Sequence, residues 1–162
     1  MVNQYSLLLY CDKVPNCIKK LRKKYDDHKL SAHITLGYLI NINDSDKNYI
    51  ISILNKIKKF ELKLDTIVEY NDLIALKMNN TKLINNIIKK IDNCIDKLPK
   101  SGFHLTILYS RGNKYTITTK IKEEIKNNIK LPIRIKINKI WLMKRNKIEK
   151  QDWFRSKTIF LH

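Results

Sequence analysis

Two short stretches of this chain pair a histidine with a threonine two positions on. They are His33-Ile34-Thr35 and His104-Leu105-Thr106, 71 residues apart. Both lie in apolar runs, "SAHITLGYLI" at 31–40 and "SGFHLTILYS" at 101–110. With four histidines and eight threonines in 162 residues, random placement gives about 0.2 such pairs, so two in matching surroundings call for a reason. In a β-strand, residues two apart point to the same face. His33 and Thr35 then share a face with Gly37, and Ile34, Leu36, Tyr38 and Ile40 share the other. By the same count His104, Thr106 and Ser110 oppose Phe103, Leu105, Ile107 and Tyr109. The apolar sets can pack on helices while the polar sets turn toward something else.

The chemistry open to such a set is acid–base work at a phosphate ester. Histidine, with an unperturbed pKa near 6.5, can stand neutral in one copy and protonated in the other at neutral pH. Two imidazoles facing one phosphorus can act as general base and general acid. Threonine hydroxyls can donate to the non-bridging oxygens and stabilise their added charge. None of this requires a metal. A zinc site fits poorly, because two histidines leave a tetrahedral ion short of ligands and neither motif carries a carboxylate or cysteine. A purely structural role for both histidines is the remaining alternative.

The elements around the motifs repeat. "QYSLLLYC" reads as a strand, Pro15 opens a helical stretch with Ile18, Leu21 and Tyr25 in register, and "AHITLGYLI" is the next strand. A helix with apolar residues at 50, 53, 54 and 57 follows, its N-cap supplied by Asp or Ser of "NDSD", and then one alternating strand, "FELKLDTIVEY". The same order recurs in "DLIALKM", a helix over "KLINNIIKKIDNCIDKL" that Thr81 can cap, "FHLTILYS", a helix in "TITTKIKEEIKNNI" and the long strand "PIRIKINKIWLM". From Tyr5 to His33 is 28 residues and from Leu73 to His104 is 31; Leu62 and Ile133 each lie 29 beyond their histidine. This predicts an α+β fold of two β-α-β-α-β lobes, about 1–70 and 71–162, whose antiparallel sheets face a shared cleft. The last strand, 153–162, can cross back to the first lobe.

At 162 residues, 43% apolar and 30% charged, the chain is one globular domain with room for a core. No apolar run approaches the roughly 18 residues of a membrane helix, and the first residues lack the pattern of a signal peptide. Cys11, Cys17 and Cys94 are an odd number without C-x-x-C spacing, which suits reduced thiols in a cytosolic setting. The net charge of +18 suits an anionic partner. Yet 28 lysines against 5 arginines, with much Asn and Ile, is also what an AT-rich genome produces. Trp141, in an apolar strand, reads as core, and His28, beside Asp26 and Asp27, as an exposed helix-end residue.

"HITLGYL" and "HLTILYS" resemble the paired H-x-[ST] signatures of the two-histidine phosphoesterases, the LigT-like and cyclic phosphodiesterase group. The resemblance spans the whole chain and implies a single bilobal domain without cofactor. It implies metal-independent cleavage of a phosphodiester next to a ribose hydroxyl. His33 and His104 would be the acid–base pair, and Thr35 and Thr106 would bind phosphate. Family pockets add aromatic or cationic residues, for which Tyr5, Arg111 and Trp153 are the candidates here. The implied substrate is a small nucleotide, a cyclic dinucleotide or a short oligonucleotide, met by a monomer away from membranes. Viral members of similar size destroy cyclic GMP-AMP or 2′-5′ oligoadenylate in the host cytosol, and the Lys, Asn and Ile bias suits an AT-rich virus or parasite. Two alternatives stand beside this: an RNA-processing enzyme that opens 2′,3′-cyclic ends, and a non-catalytic nucleotide- or RNA-binding protein.

Overall fold

A computed structural model describes residues 4–25, 31–110, 116–145 and 153–162. Strand β1 (Gln4–Cys11), helix α1 (Asn16–Tyr25), β2 (His33–Ile40), α2 (Asp44–Leu54) and β3 (Phe60–Leu64) make the first half. β4 (Thr66–Tyr70), β5 (Leu73–Lys77), α3 (Lys82–Lys89), β6 (His104–Tyr109), α4 (Thr119–Asn128), β7 (Ile133–Arg145) and β8 (Trp153–Phe160) follow. The fold is α+β, as the alternation of helical and strand periods predicts.

The strands form one antiparallel sheet in the order β3-β7-β1-β2-β6-β5-β4, with β8 also on β7. The two halves therefore do not carry separate sheets. They join where β2 meets β6, through a single register pair, Ile34 opposite Leu105. The long β7 belongs to the second half by sequence but lies between β1 and β3 of the first. β3 pairs with its start (Ile133–Ile137) and β8 with its end (Lys139–Arg145).

The expected strand over 60–70 is two strands, broken at Asp65. Asp65 bonds through its N–H to the Lys77 carbonyl at 3.0 Å, and its carboxylate accepts from the Asn79 N–H at 3.0 Å. β3 and β4 are the two ends of the sheet order yet are separated by this one residue, so the sheet curls until its edges meet there.

All four described helices contribute buried side chains to one core on one face of the sheet. Ile18 and Leu21 of α1, Ile50 and Leu54 of α2, Ile84 and Ile87 of α3 and Ile125 of α4 cluster with Tyr5, Leu7, Leu9, Ile34, Leu36, Leu105 and Ile107. Helical spacing of the isoleucines selects this face. α2 begins with a capping box, in which the Asn43 side chain accepts from the Asp46 N–H at 2.9 Å and the Asp46 carboxylate accepts from the Asn43 N–H at 3.0 Å. Cys11 lies in this core, where burial pushes its thiol up to about 12.

Helix α3 stops at Lys89, well short of the stretch whose periodicity predicts it. The chain turns through Asp92–Cys94 and then runs extended beside β2, with Tyr38 N–H donating to the Lys97 carbonyl at 2.8 Å and Asp96 N–H to the Tyr38 carbonyl at 3.0 Å. These residues satisfy the edge of β2 where it parts from β6. Gly37 lets them approach: a Cβ there would lie 2.9 Å from Ile95 Cγ2 and 3.4 Å from the Lys97 carbonyl oxygen. Gly37→Val should therefore cost about 1–3 kcal/mol by overpacking. Urea denaturation measures it; a variant as stable as the parent would show that the 95–97 segment is not held against β2.

Candidate active site

The histidine motifs sit on the two central strands, on the sheet face opposite the helices. The register places them. Ile34 faces Leu105, so the same antiparallel count sets His33 beside Thr106 and Thr35 beside His104. Each histidine thus stands across the seam from the other motif's threonine, with an approximate twofold axis through the Ile34–Leu105 pair. Adjacent strands lie about 5 Å apart and residues two along a strand about 7 Å apart, so the histidines occupy one diagonal of a rectangle, about 9 Å between Cα atoms. All four side chains are half-buried.

Both rings are oriented the same way. His33 Nδ1 lies 2.7 Å from the Ser31 carbonyl oxygen, and His104 Nδ1 lies 2.8 Å from that of Gly102. A carbonyl only accepts, so each Nδ1 carries the hydrogen and each Nε2 is the nitrogen that can serve the site. Gly102 reaches the required geometry at φ 70°, where a side chain is strained, and a Cβ there would meet Lys77 Nζ at 3.3 Å. Burial holds the His104 pKa below the ordinary histidine value, and the nearby Lys77 charge adds to this, against the opposing bonds to the Gly102 and Ser101 backbone.

Each motif strand carries a β-bulge three residues after its histidine. On β2 the partners of β1 jump from Thr35 (opposite Leu8) to Gly37 (opposite Leu7), skipping Leu36. On β6 the partners of β5 jump from Thr106 (opposite Ala75) to Leu108 (opposite Ile74), skipping Ile107. A skipped residue reverses the alternation beyond it. Gly37 therefore turns to the helix side, while Tyr38 and Tyr109 turn to the face of the histidines, opposite Ser6 and Leu73. Strict alternation predicts the reverse for all three. Ser110 lies just past β6, its N–H bonded to the Asp72 carbonyl at 2.8 Å.

Behind the seam, the buried Arg22 of α1 donates through Nη1 to the Thr106 carbonyl. That carbonyl lies at the β6 bulge, beside the seam where ladder pairing is lost.

Of the three binding candidates, Trp153 is on the histidine face, its ring 6.4 Å from that of Tyr38 and tilted 45°. Tyr5 is not. It is 1% exposed and packs with the helices, because Tyr10 and Leu8 are the β1 residues opposite His33 and Thr35, and Tyr5 falls on the other parity. Arg111 and His28 lie outside the described residues. Trp141 is buried, but in a separate small cluster with Leu8 and Met143 on the histidine face, not in the core under the helices.

Sequence reasoning missed Tyr10, which stacks on Trp141 at 4.3 Å and 23°, and Arg155, whose guanidinium lies 5.1 Å over the Trp141 ring. It also missed Lys77, the β5 residue opposite His104. Equal spacing of Tyr38 and Tyr109 from their histidines was the one available signal for the tyrosines. Among the described residues no group of three His, Cys, Asp or Glu side chains is placed to hold a metal, and no helix is long and apolar enough to cross a membrane.

No protein-family model matches the sequence, and no curated protein does either. Solved structures do match its fold. Escherichia coli LigT complexed with 3′-AMP superposes with a TM-score of 0.61 at 14% identity over 99% of both chains. The chain has the LigT fold. A structure described as a phosphoesterase gives 0.61 at 13% identity over 99% of both chains. TT0787 of Thermus thermophilus gives 0.58 at 8% identity over 98% of this LigT-fold chain and 97% of its own.

Two stability tests follow from the geometry. Gly102→Ala should cost about 1–2 kcal/mol for placing a side chain in the left-handed region, read by urea denaturation. An unchanged midpoint would contradict the strained turn behind His104. Because the His104 pKa is depressed on folding, the unfolded chain binds more protons below about pH 6.5, and stability falls as pH drops through that range. His104→Asn should flatten this part of the pH–stability curve; an identical slope would contradict the shift.

Proposed function

We propose that this chain is a two-histidine phosphoesterase that cleaves a phosphodiester adjacent to a ribose hydroxyl. The observation that carries the reading is the matched pair of rings. Each is fixed by its own Nδ1–H, each offers Nε2 to the same face, and each has the other motif's threonine beside it. The fold shared with LigT and the phosphoesterase structure supports it.

With a phosphate seated between the diagonal histidines, a neutral Nε2 accepts the proton of the attacking hydroxyl. A protonated Nε2 on the far side gives its proton to the leaving oxygen. Thr35 and Thr106 donate to the two non-bridging oxygens, whose charge grows as the fifth bond forms. The reaction is complete with these four side chains and needs no metal ion.

The substrate we propose is a small nucleotide messenger, a cyclic dinucleotide such as cyclic GMP-AMP or a 2′-5′ oligoadenylate. The half-buried Tyr10, Tyr38 and Trp153 support this choice, because they offer apolar and π surface for bases on the face of the histidines. LigT has been solved with 3′-AMP, ATP and NADP+, ligands of the same chemical kind. Destruction of a host signal by a viral protein in the cytosol is the biological setting proposed for this activity, with the protein acting as a monomer.

A panel of 2′-5′ oligoadenylate, 2′,3′- and 3′,3′-cyclic GMP-AMP and 2′,3′-cyclic nucleotides, assayed in EDTA with products resolved by mass, tests the proposal. Turnover should persist in EDTA and fall about 10²–10⁴-fold in His33→Ala and in His104→Ala. Thr35→Ala and Thr106→Ala should each lose about 10²-fold in kcat. Trp153→Ala should raise KM with a smaller effect on kcat. Undiminished turnover in both histidine variants would overturn the assignment. Preference for 2′,3′-cyclic ends would move the substrate to RNA termini, and binding without turnover would favour a non-catalytic protein.

A further inference from the structure

The site is nearly symmetric, and its departures from symmetry are concentrated beside the two histidines. Outside Thr35 and Thr106 stand two small or aliphatic residues, Leu8 and Ala75. Outside the histidines themselves stand unlike groups. His33 is flanked by Tyr10, which is stacked on Trp141, and His104 by Lys77. The Lys77 ammonium is held close, 3.3 Å from where a Gly102 side chain would begin, on the turn whose carbonyl receives the His104 ring. Lys77 makes no ion pair among the described residues.

We propose that Lys77 breaks the symmetry of the pair and assigns the roles, with His104 as general base and His33 as general acid. This rests on the phosphodiesterase reading above and goes beyond it. Register and hydrogen bonds set Lys77 of β5 and Thr35 of β2 on either side of His104, with Thr106 next along the same face of β6 and the Ser101 and Gly102 carbonyls at its ring. The Ser101 carbonyl also accepts from the Tyr70 hydroxyl of β4 at 3.1 Å. Arg22 lies on the opposite side of the sheet. No carboxylate stands among these described groups, and beside the lysine a second positive charge on His104 is disfavoured.

A ring kept neutral before reaction can only begin by accepting. His104 Nε2 takes the proton from the attacking ribose hydroxyl as its oxygen bonds to phosphorus. The bond from phosphorus to the leaving oxygen breaks with its electron pair, and that oxygen takes the proton from His33 Nε2. The same lysine then favours release of the proton from His104, which resets the base for another turnover. Lys77 acts through His104 and need not touch the reacting atoms.

Leaving-group chemistry separates the roles. A nucleoside 2′- or 3′-(4-nitrophenyl phosphate) expels a stable phenolate that needs no acid, whereas a nucleoside leaving group does. His33→Ala should be about 10²-fold or more slowed with the nucleoside ester yet regain most of its rate with the nitrophenyl ester, and His104→Ala should remain slow with both. The opposite pattern, or equal rescue of the two variants, would overturn the proposal. Histidine titration by NMR in the resting protein gives a second readout that does not need turnover. Lys77→Met should raise the His104 pKa by about half a unit or more, and Lys77→Arg should leave it in place. A His104 titration unmoved in Lys77→Met overturns the proposal even in an active enzyme. A parent protein inert toward both esters instead defeats the phosphodiesterase reading, and the assignment of roles falls with it.

Discussion

Ile34 and Leu105 are the middle residues of the two motifs, and their pairing is the one register contact between the strands that carry them. Side chains on either side of a paired residue point away from it to the opposite face, so this contact sets four polar side chains at once. It puts both histidines and both threonines on the helix-free face and sets each histidine beside the partner motif's threonine. Slipping the register by one residue would turn one motif into the core. Both middle residues are fully buried and belong to the core under the helices, so apolar packing resists that slip.

A seam this narrow needs bracing, and the structure supplies it from three sides. α1 packs across it and sends Arg22 to the Thr106 carbonyl. Tyr25 at the end of α1 donates to the Glu124 carboxylate of α4 at 2.7 Å, and Lys24 bonds the same group at 2.6 Å, tying helices of the two halves together. That contact lowers the Glu124 pKa, chiefly through the Lys24 and Tyr25 bonds. The 96–97 segment fills the opening where β2 leaves β6. The bulges then use the freedom of a strand that has lost one neighbour. They turn Tyr38 and Tyr109 into the face without disturbing the apolar residues beneath.

Much of this was legible in the sequence because it depends on local period. The two motifs, the strand and helix order apart from the break at Asp65, and the α+β class follow from alternation and helical spacing. What could not be read depends on long-range partners. A bulge leaves no mark in an apolar run such as "TLGYLI", so the faces of Gly37, Tyr38 and Tyr109 came out reversed. Tyr5 and Tyr10 both alternate with leucines, and only the pairing of Tyr10 with His33 shows which of them lies beside the histidines. Trp141 is indeed buried, but against Tyr10 and Leu8 on the site's own face. Lys77 was one lysine among 28 until β5 was placed against β6.

The central claim is that two half-sites, neither sufficient alone, converge on one phosphorus. A crystal structure with a nucleoside–vanadate complex, which mimics the five-coordinate phosphorus, tests it most directly. The account predicts one vanadium between the two Nε2 atoms, its axial oxygens each within hydrogen-bond reach of a different histidine, and the Thr35 and Thr106 hydroxyls on equatorial oxygens. A vanadate held by one motif alone, or seated away from the Ile34–Leu105 seam, would contradict it.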